Sequence, residues 1–263
     1  MSAILSFSLF YFLDIDLKVM FYENDLNFTV FKLIWYVIIN FKESLMIRNI
    51  IFDVDGVLVD CDQCYLSFLK NTYEEFKDIT DEDLPTLFPI SPDNGAIKLP
   101  PNFSEDFKKS PYYFYRPLFE DTMTVLTSLK KKGLKLFTLS AARDPQKKLK
   151  WIEKTFTGLF DAFEFSPSGQ PKNSALKDLL EKHSLNKEET IFIDDRFQNI
   201  RAGINVSVHT VRMQPKHSLP LPKELSHIKS LSSMTEFGKY VDELIAHDSL
   251  RLANFRGTCA KSL

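Results

Sequence analysis

Ile50-Ile51-Phe52-Asp53-Val54-Asp55-Gly56-Val57-Leu58-Val59-Asp60 is the stretch on which the reading of this chain turns. A short, wholly apolar run reads as a strand buried on both faces, which is the habit of parallel sheets. In open α/β sheets, ligands bind outside the carboxyl ends of the strands, so Asp53 and Asp55, which end this strand, become the first candidates for chemistry. Their spacing of two sends both side chains to one side of an extended chain, although the turn allowed by Gly56 can redirect the second. Paired carboxylates can serve as nucleophile and general acid, with a divalent cation offsetting their repulsion for phosphate. An Asp-x-Asp alone is common in surface loops; the apolar strand before it and the glycine after it make this one specific.

Outward from that strand, four more apolar runs follow: Leu134–Leu139, Ala162–Phe165, Thr190–Ile193 and Ser207–Val211. Helical patterns separate them. One runs from about Leu118 to Lys132, with Phe119, Met123 and Leu126 on a face and Gly133 placed to close it. Another starts with Asp144 as N-cap and Pro145 in the first turn and is expected to bury Leu149, Ile152 and Phe156. A third follows Asn173 and carries Leu176, Leu179 and Leu180. Alternation of strand and helix predicts an α/β, doubly wound parallel sheet.

Residues 61–116 interrupt the alternation. Tyr65, Phe68, Leu69, Thr72 and Phe76 suggest one amphipathic helix, after which Pro85, Pro89, Pro92, Pro100, Pro101 and Pro111 break any long element. The segment is expected to form a small, mainly helical cap inserted after the first strand. The catalytic core is then 46–60 plus 117–250, with 251–263 as a tail. Residues 1–45 are rich in Phe, Ile and Leu, but Asp14 and Asp16 stop one apolar stretch and Lys32 interrupts the other, both short of the roughly 20 residues that span a bilayer. This extension is read as a mis-called start with Met46 as the true one; an accessory element or a peripheral membrane anchor are the alternatives.

With 33 basic residues against 35 acidic ones, scattered and without a basic stripe, nucleic acid is not an expected partner. At 263 residues and 44% hydrophobic, the chain can bury a full core without staples. Three cysteines do not make a disulfide framework and point to a reducing, cytoplasmic setting. Cys61 and Cys64 lack the second pair that tetrahedral zinc requires. The five histidines, His183, His209, His217, His227 and His247, show no ligand or triad spacing.

The quoted stretch resembles the first motif of the haloacid dehalogenase superfamily, an aliphatic strand followed by D-x-D-G-x-L, and the resemblance extends over about residues 47–246. It implies that Asp53 attacks phosphorus to give an aspartyl-phosphate, and that Asp55 protonates the leaving oxygen and then activates water. Asp55 also points to phosphate esters, because members that cleave carbon–halogen or carbon–phosphorus bonds generally lack it. Leu136-Phe137-Thr138-Leu139-Ser140 is similar to the second motif, so Ser140 and the amide of Ala141 are expected to hold a phosphate oxygen; Arg143 stands near a position where the family often has Asn. A bland reading makes Ser140 a helix cap. Lys172 sits where a helix begins, against the dipole, so something must compensate its charge; it matches the third-motif lysine better than Lys177 or Lys182 does. Asp194 and Asp195, with Asn199 orienting their loop, resemble the fourth motif, and Asp53, Asp55, Asp194 and Asp195 together are the expected Mg²⁺ residues. Helix capping is the alternative for the last pair.

The implied activity is Mg²⁺-dependent hydrolysis of a small phosphorylated metabolite. Tyr112, Tyr113, Arg116 and Lys98 are possible lid or hinge contacts. A phosphomutase using the same motifs is the competing enzyme, and a silent binding module the competing non-enzyme.

Overall fold

The structure is a computed structural model in which residues 46–83, 98–113, 116–214 and 221–259 are described. The expectations for residues 1–45, for Pro85, Pro89 and Pro92, and for His217 lie outside the described residues. Met46 onward forms one compact unit.

Six parallel strands make the sheet: β1 (Asn49–Phe52), β2 (Lys135–Ala142), β3 (Ala162–Pro167), β4 (Thr190–Asp194), β5 (His209–Met213) and β6 (Ser230–Leu231), in the order β3-β2-β1-β4-β5-β6. The chain winds from β1 to one edge, then returns to the other side of β1, so the topological switch lies between β1 and β4. β2 runs past its expected end at Leu139 to Ala142. β5 begins two residues later than expected, because Ser207 adopts a left-handed conformation and closes the preceding helix. The two-residue β6 is too short to carry a sequence signal.

Among the described residues, helices α1 (Cys61–Thr72) and α2 (Phe103–Lys109) and three short 3₁₀ turns lie between β1 and the helix that leads into β2. The others are α3 (Thr122–Lys131), α4 (Pro145–Thr155), α5 (Asn173–Lys182), α6 (Phe197–Val206) and α7 (Met234–Cys259), the last running past the expected boundary at 250. Among the described residues no helix is long and apolar enough to cross a membrane.

Alternation along β1 divides the core in two. Ile50 and Phe52 pack with Val125, Leu126 and Leu129 of α3, Ile152 of α4, Phe156 just beyond it and Phe237 of α7, whereas Ile51 packs with Leu176, Leu179 and Leu180 of α5. Helices therefore cover both faces, as the doubly wound reading requires. The α3 stripe is Thr122, Val125, Leu126 and Leu129, so Met123 is 39% exposed rather than internal. In α4 the inward position expected for Leu149 is taken by Lys148, which is 4% exposed; Lys148, Ile152 and Phe156 recur every four residues and share one stripe.

Between β1 and β2, Leu66 and Leu69 pack with Phe76 and Ile79, and Cys64 and Phe68 pack with Phe107. Thr72, expected on the apolar face of α1, is exposed. Asp60 caps α1 by accepting from the Gln63 amide at 3.1 Å. The return strand is tied to this entrance, since the Asp60 amide donates to the Pro117 carbonyl at 2.9 Å and Leu118 bridges Val59.

Candidate active site

Asp53 follows β1, Ser140 and Ala141 lie in the last half of β2, and Asp194 ends β4, so three adjacent central strands deliver their polar ends to one place. Asp53 stays in sheet-like contact, its amide donating to the Ile193 carbonyl at 2.9 Å. After Val54 the chain turns sharply: Gly56 has φ +81°, and the Val57, Leu58 and Val59 amides all point to the Val54 carbonyl. A Cβ at Gly56 would lie 2.6 Å from Asp195 Oδ2, so the glycine serves both the turn and the approach of the β4 loop.

Lys172 Nζ lies 2.8 Å from Asp53 Oδ2 and 2.8 Å from Asp194 Oδ2. Its side chain is 1% exposed and stands at the start of α5, against the helix dipole. The two carboxylates are the compensation its position demanded. Burial alone would drive the ammonium toward neutrality, but Asp194 and then Asp53 raise its pKa above the usual value. Asp194, fully buried, also accepts from the Arg196 amide at 2.9 Å and from Asn199 Nδ2 at 3.1 Å, so Asn199 does orient this loop. Ser140 Oγ donates to Asp53 Oδ1 at 3.1 Å. Burial, with help from Asp194 and Asp55, pushes the Asp53 carboxyl up to about 6 against the pull of Lys172 and Lys148.

Asp55 faces elsewhere. Its Oδ2 accepts from Lys148 Nζ at 2.6 Å and its Oδ1 from Arg116 Nη1, with the Cys61 thiol donating to Oδ1 at 3.4 Å. Burial works to raise its pKa, yet Lys148 and Arg116 overcome that and hold the carboxyl well below the usual carboxylate range. The turn at Gly56 has thus separated two side chains that an extended strand would align.

Lys148 is the functional candidate that the sequence reading missed. It also reaches Ser140 Oγ at 2.7 Å and the Ala141 carbonyl at 3.1 Å. A cue existed, since Lys148 precedes Ile152 by one helical turn and so falls on the apolar stripe. Arg116, expected as a lid or hinge contact, enters the site from the end of the inserted segment, donating to the Tyr113 carbonyl at 3.0 Å and stacking over the Tyr113 ring at 4.6 Å. Tyr112 is half-buried, whereas Lys98 and Arg143 are exposed. His183 pairs with Glu164 and His209 with the Tyr240 hydroxyl, so neither joins the site.

Asp53, Asp194 and Asp195 each place a carboxylate oxygen within 4.8 Å of the others. Asp195 Oδ1 is buried without a hydrogen bond among the described residues. Burial, then Asp194 and Asp53, drive its pKa well above the usual value. An orphaned oxygen amid like charges fits a hard divalent cation, which takes oxygen ligands. Both oxygens of Asp53 and of Asp194 already accept bonds, so Asp195, with its unpartnered Oδ1, has the clearest ligand atom of the three. The Asp55 carboxylate, counted with the metal residues from sequence, is not in this group because Lys148 and Arg116 claim it.

Several solved structures share the fold. A haloacid dehalogenase-like hydrolase from Streptococcus pneumoniae, SP0104, is 16% identical with a TM-score of 0.55 over 74% of this chain and 98% of its own. A candidate beta-phosphoglucomutase from Thermotoga maritima is 19% identical with a TM-score of 0.56, covering 75% and 99%. A predicted phosphatase from Clostridium acetobutylicum is 17% identical with a TM-score of 0.53, again covering 75% and 99%. No curated protein matches the sequence. A family profile described as haloacid dehalogenase-like hydrolase matches residues 50–213, more than half of the 263, and the chain belongs to that family.

Proposed function

We propose that the protein is a Mg²⁺-dependent phosphatase that hydrolyses a small phosphomonoester through an aspartyl-phosphate on Asp53. The observation that carries this reading is that two carboxylates with one residue between them stand in two different charged environments. Asp53 lies against Lys172 and the cation site, where phosphoryl charge can be met; Asp55 lies against Lys148 and Arg116, clear of the cation site.

Asp53 and Asp195, with Asp194 beside them, would hold the metal, which would supply positive charge to meet that of the incoming phosphoryl group. Lys172 neutralises the same corner, and Ser140 Oγ, 3.1 Å from Asp53, orients the nucleophile and can donate to a phosphate oxygen. Asp53 Oδ attacks phosphorus, the P–O ester bond breaks, and Asp55 gives a proton to the leaving alcohol. Asp55 then takes a proton from water as that water attacks the aspartyl-phosphate, releasing phosphate and regenerating Asp53. In the free protein, Lys148 and Arg116 hold Asp55 ionised, which suits the second half; for the first half the carboxyl takes up a proton from solvent before it can give one to the leaving alcohol.

Phosphate release from a panel of small esters should require Mg²⁺ and vanish in excess EDTA. Full turnover in chelator would remove the metal from the mechanism. A mutase, the activity named for the Thermotoga maritima neighbour, would instead move label between hydroxyls of one sugar without releasing free phosphate.

A further inference from the structure

Lys148 and Arg116 leave the site with an unbalanced charge. Around Lys172, two carboxylates lie within 2.8 Å of one ammonium. On the opposite side, two cations converge on one carboxylate: Lys148 Nζ at 2.6 Å from Asp55 Oδ2 and Arg116 Nη1 on Oδ1. Both cationic side chains are deeply buried, 3% and 8% exposed, while the Asp55 side chain between them is 35% exposed and so reaches solvent. The remaining acceptors of this pair are neutral: Ser140 Oγ, the Ala141 carbonyl and the Tyr113 carbonyl.

Two desolvated cations with one carboxylate in direct contact attract a second anion, although Lys148 also acts on Asp53 at longer range. Structure around them holds them in place rather than letting them swing to solvent. Trp151 follows Lys148 by three residues on α4 and its ring lies 5.9 Å from the Arg116 guanidinium, which also lies 4.6 Å from the Tyr113 ring. We propose that Lys148 and Arg116 form a subsite for a second anionic group on the substrate, carried by the leaving portion rather than by the transferred phosphoryl group. The inference rests on the phosphatase reading for its orientation, since it is Asp55 that faces the leaving oxygen there. Because both cations touch the carboxylate that meets this oxygen, the second anion must lie within two or three bonds of it. A carboxylate or a second phosphoryl group on a short carbon skeleton meets that requirement; a long, neutral or cationic alcohol does not.

Calorimetry on the Asp53→Asn protein with Mg²⁺, which cannot turn substrate over, tests this directly. Carboxymethyl phosphate and ethyl phosphate are near in size and differ in one carboxylate; ethane-1,2-diol bisphosphate supplies the phosphoryl alternative. At least one of the two anionic ligands should bind on the order of tenfold tighter than ethyl phosphate, the scale of one charge-assisted bond, and which one does so identifies the group. Adding Lys148→Met or Arg116→Met should shrink the preference to about threefold or less, and Lys148→Arg should retain most of it. Equal binding of all three ligands to the Asp53→Asn protein overturns the subsite without any further variant. So does a preference that survives both methionine substitutions, because the pair would then serve only to position Asp55. Phosphate release by the unmodified enzyme is scored separately: a binding preference with no hydrolysis of any ester sinks the phosphatase reading and leaves the subsite standing.

Discussion

Asp53 and Asp55 are separated by one residue and differ in their principal charged neighbours: Lys172 and Asp194 for the first, Lys148 and Arg116 for the second. That difference makes their roles separable by experiment. Asp53→Asn keeps the shape and removes the attacking oxygen, so activity should fall to background. Asp55→Asn removes proton transfer in both half-reactions, each worth about 10²- to 10⁴-fold. An acyl or aryl phosphate needs no proton on its leaving group, so it should leave a trapped phosphoryl group on the Asp55→Asn protein and none on Asp53→Asn. A label on the Asp53→Asn protein, mapped to another side chain, would reassign the nucleophile. Stability has to be measured beside activity for Asp55→Asn, because two buried cations then face an amide, and stranding a buried charge costs about 3–5 kcal/mol.

Helices set how the strand ends are supported, and α6 does so with almost no clearance. A Cβ on Gly203 would lie 2.4 Å from Thr210 Oγ1 of β5 and 2.9 Å from Phe192 Cδ1 of β4. Because Phe192 is two residues from Asp194, any retreat of α6 is felt at the site. Gly203→Ala should lower stability by about 1–3 kcal/mol, the usual cost of overpacking, which for a domain of this size lowers Tm by roughly 2–4 °C per kcal/mol. Thr210→Ala in the same protein should recover part of the loss. Unchanged melting for Gly203→Ala would mean that the helix yields freely. On the other face, α4 is anchored by its cap, the Asp144 carboxylate accepting from the Lys147 amide at 3.1 Å, with Pro145 in the first turn. That anchoring sets the angle at which Lys148 meets the ends of β1 and β2.

Across the molecule, the carboxylate cluster couples stability to pH and metal. The folded Asp53 carboxyl titrates at about 6, above the value near 4 of an unfolded aspartate. Between those values the metal-free folded state holds more protons than the unfolded one, so this group's stabilising contribution is full below about pH 4 and is lost as pH rises through 6. A divalent cation competes for the same oxygens and offsets the loss. The rise in Tm produced by a fixed Mg²⁺ concentration should therefore be small near pH 5 and larger at pH 7. A Tm increment independent of pH over that range would show that the cation does not bind at Asp53. Asp195, raised by burial and then by Asp194 and Asp53, adds in the same sense.

Much of this was legible in the chain itself. Parallel strands buried on both faces are mainly apolar, so β1 and β4 announced themselves, and a polar residue ending such a run has few reasons to be there other than chemistry. Asp53, Ser140, Lys172 and Asp194 could be named because each ends a strand or begins a helix, positions that local sequence encodes. Lys148 and the pairing of Asp55 could not. Lys148 lies inside a helix, where a lysine is ordinarily solvated, and its burial follows from α4 packing against β1 and β2. Arg116 and Asp55 lie 61 positions apart and meet only because the return from the inserted segment is hydrogen-bonded to the turn after β1. Local patterning specifies which residues end an element; which charges then share a low-dielectric space is decided by long-range packing, and here that packing gave two carboxylates, already parted by the turn at Gly56, two different sets of charged partners.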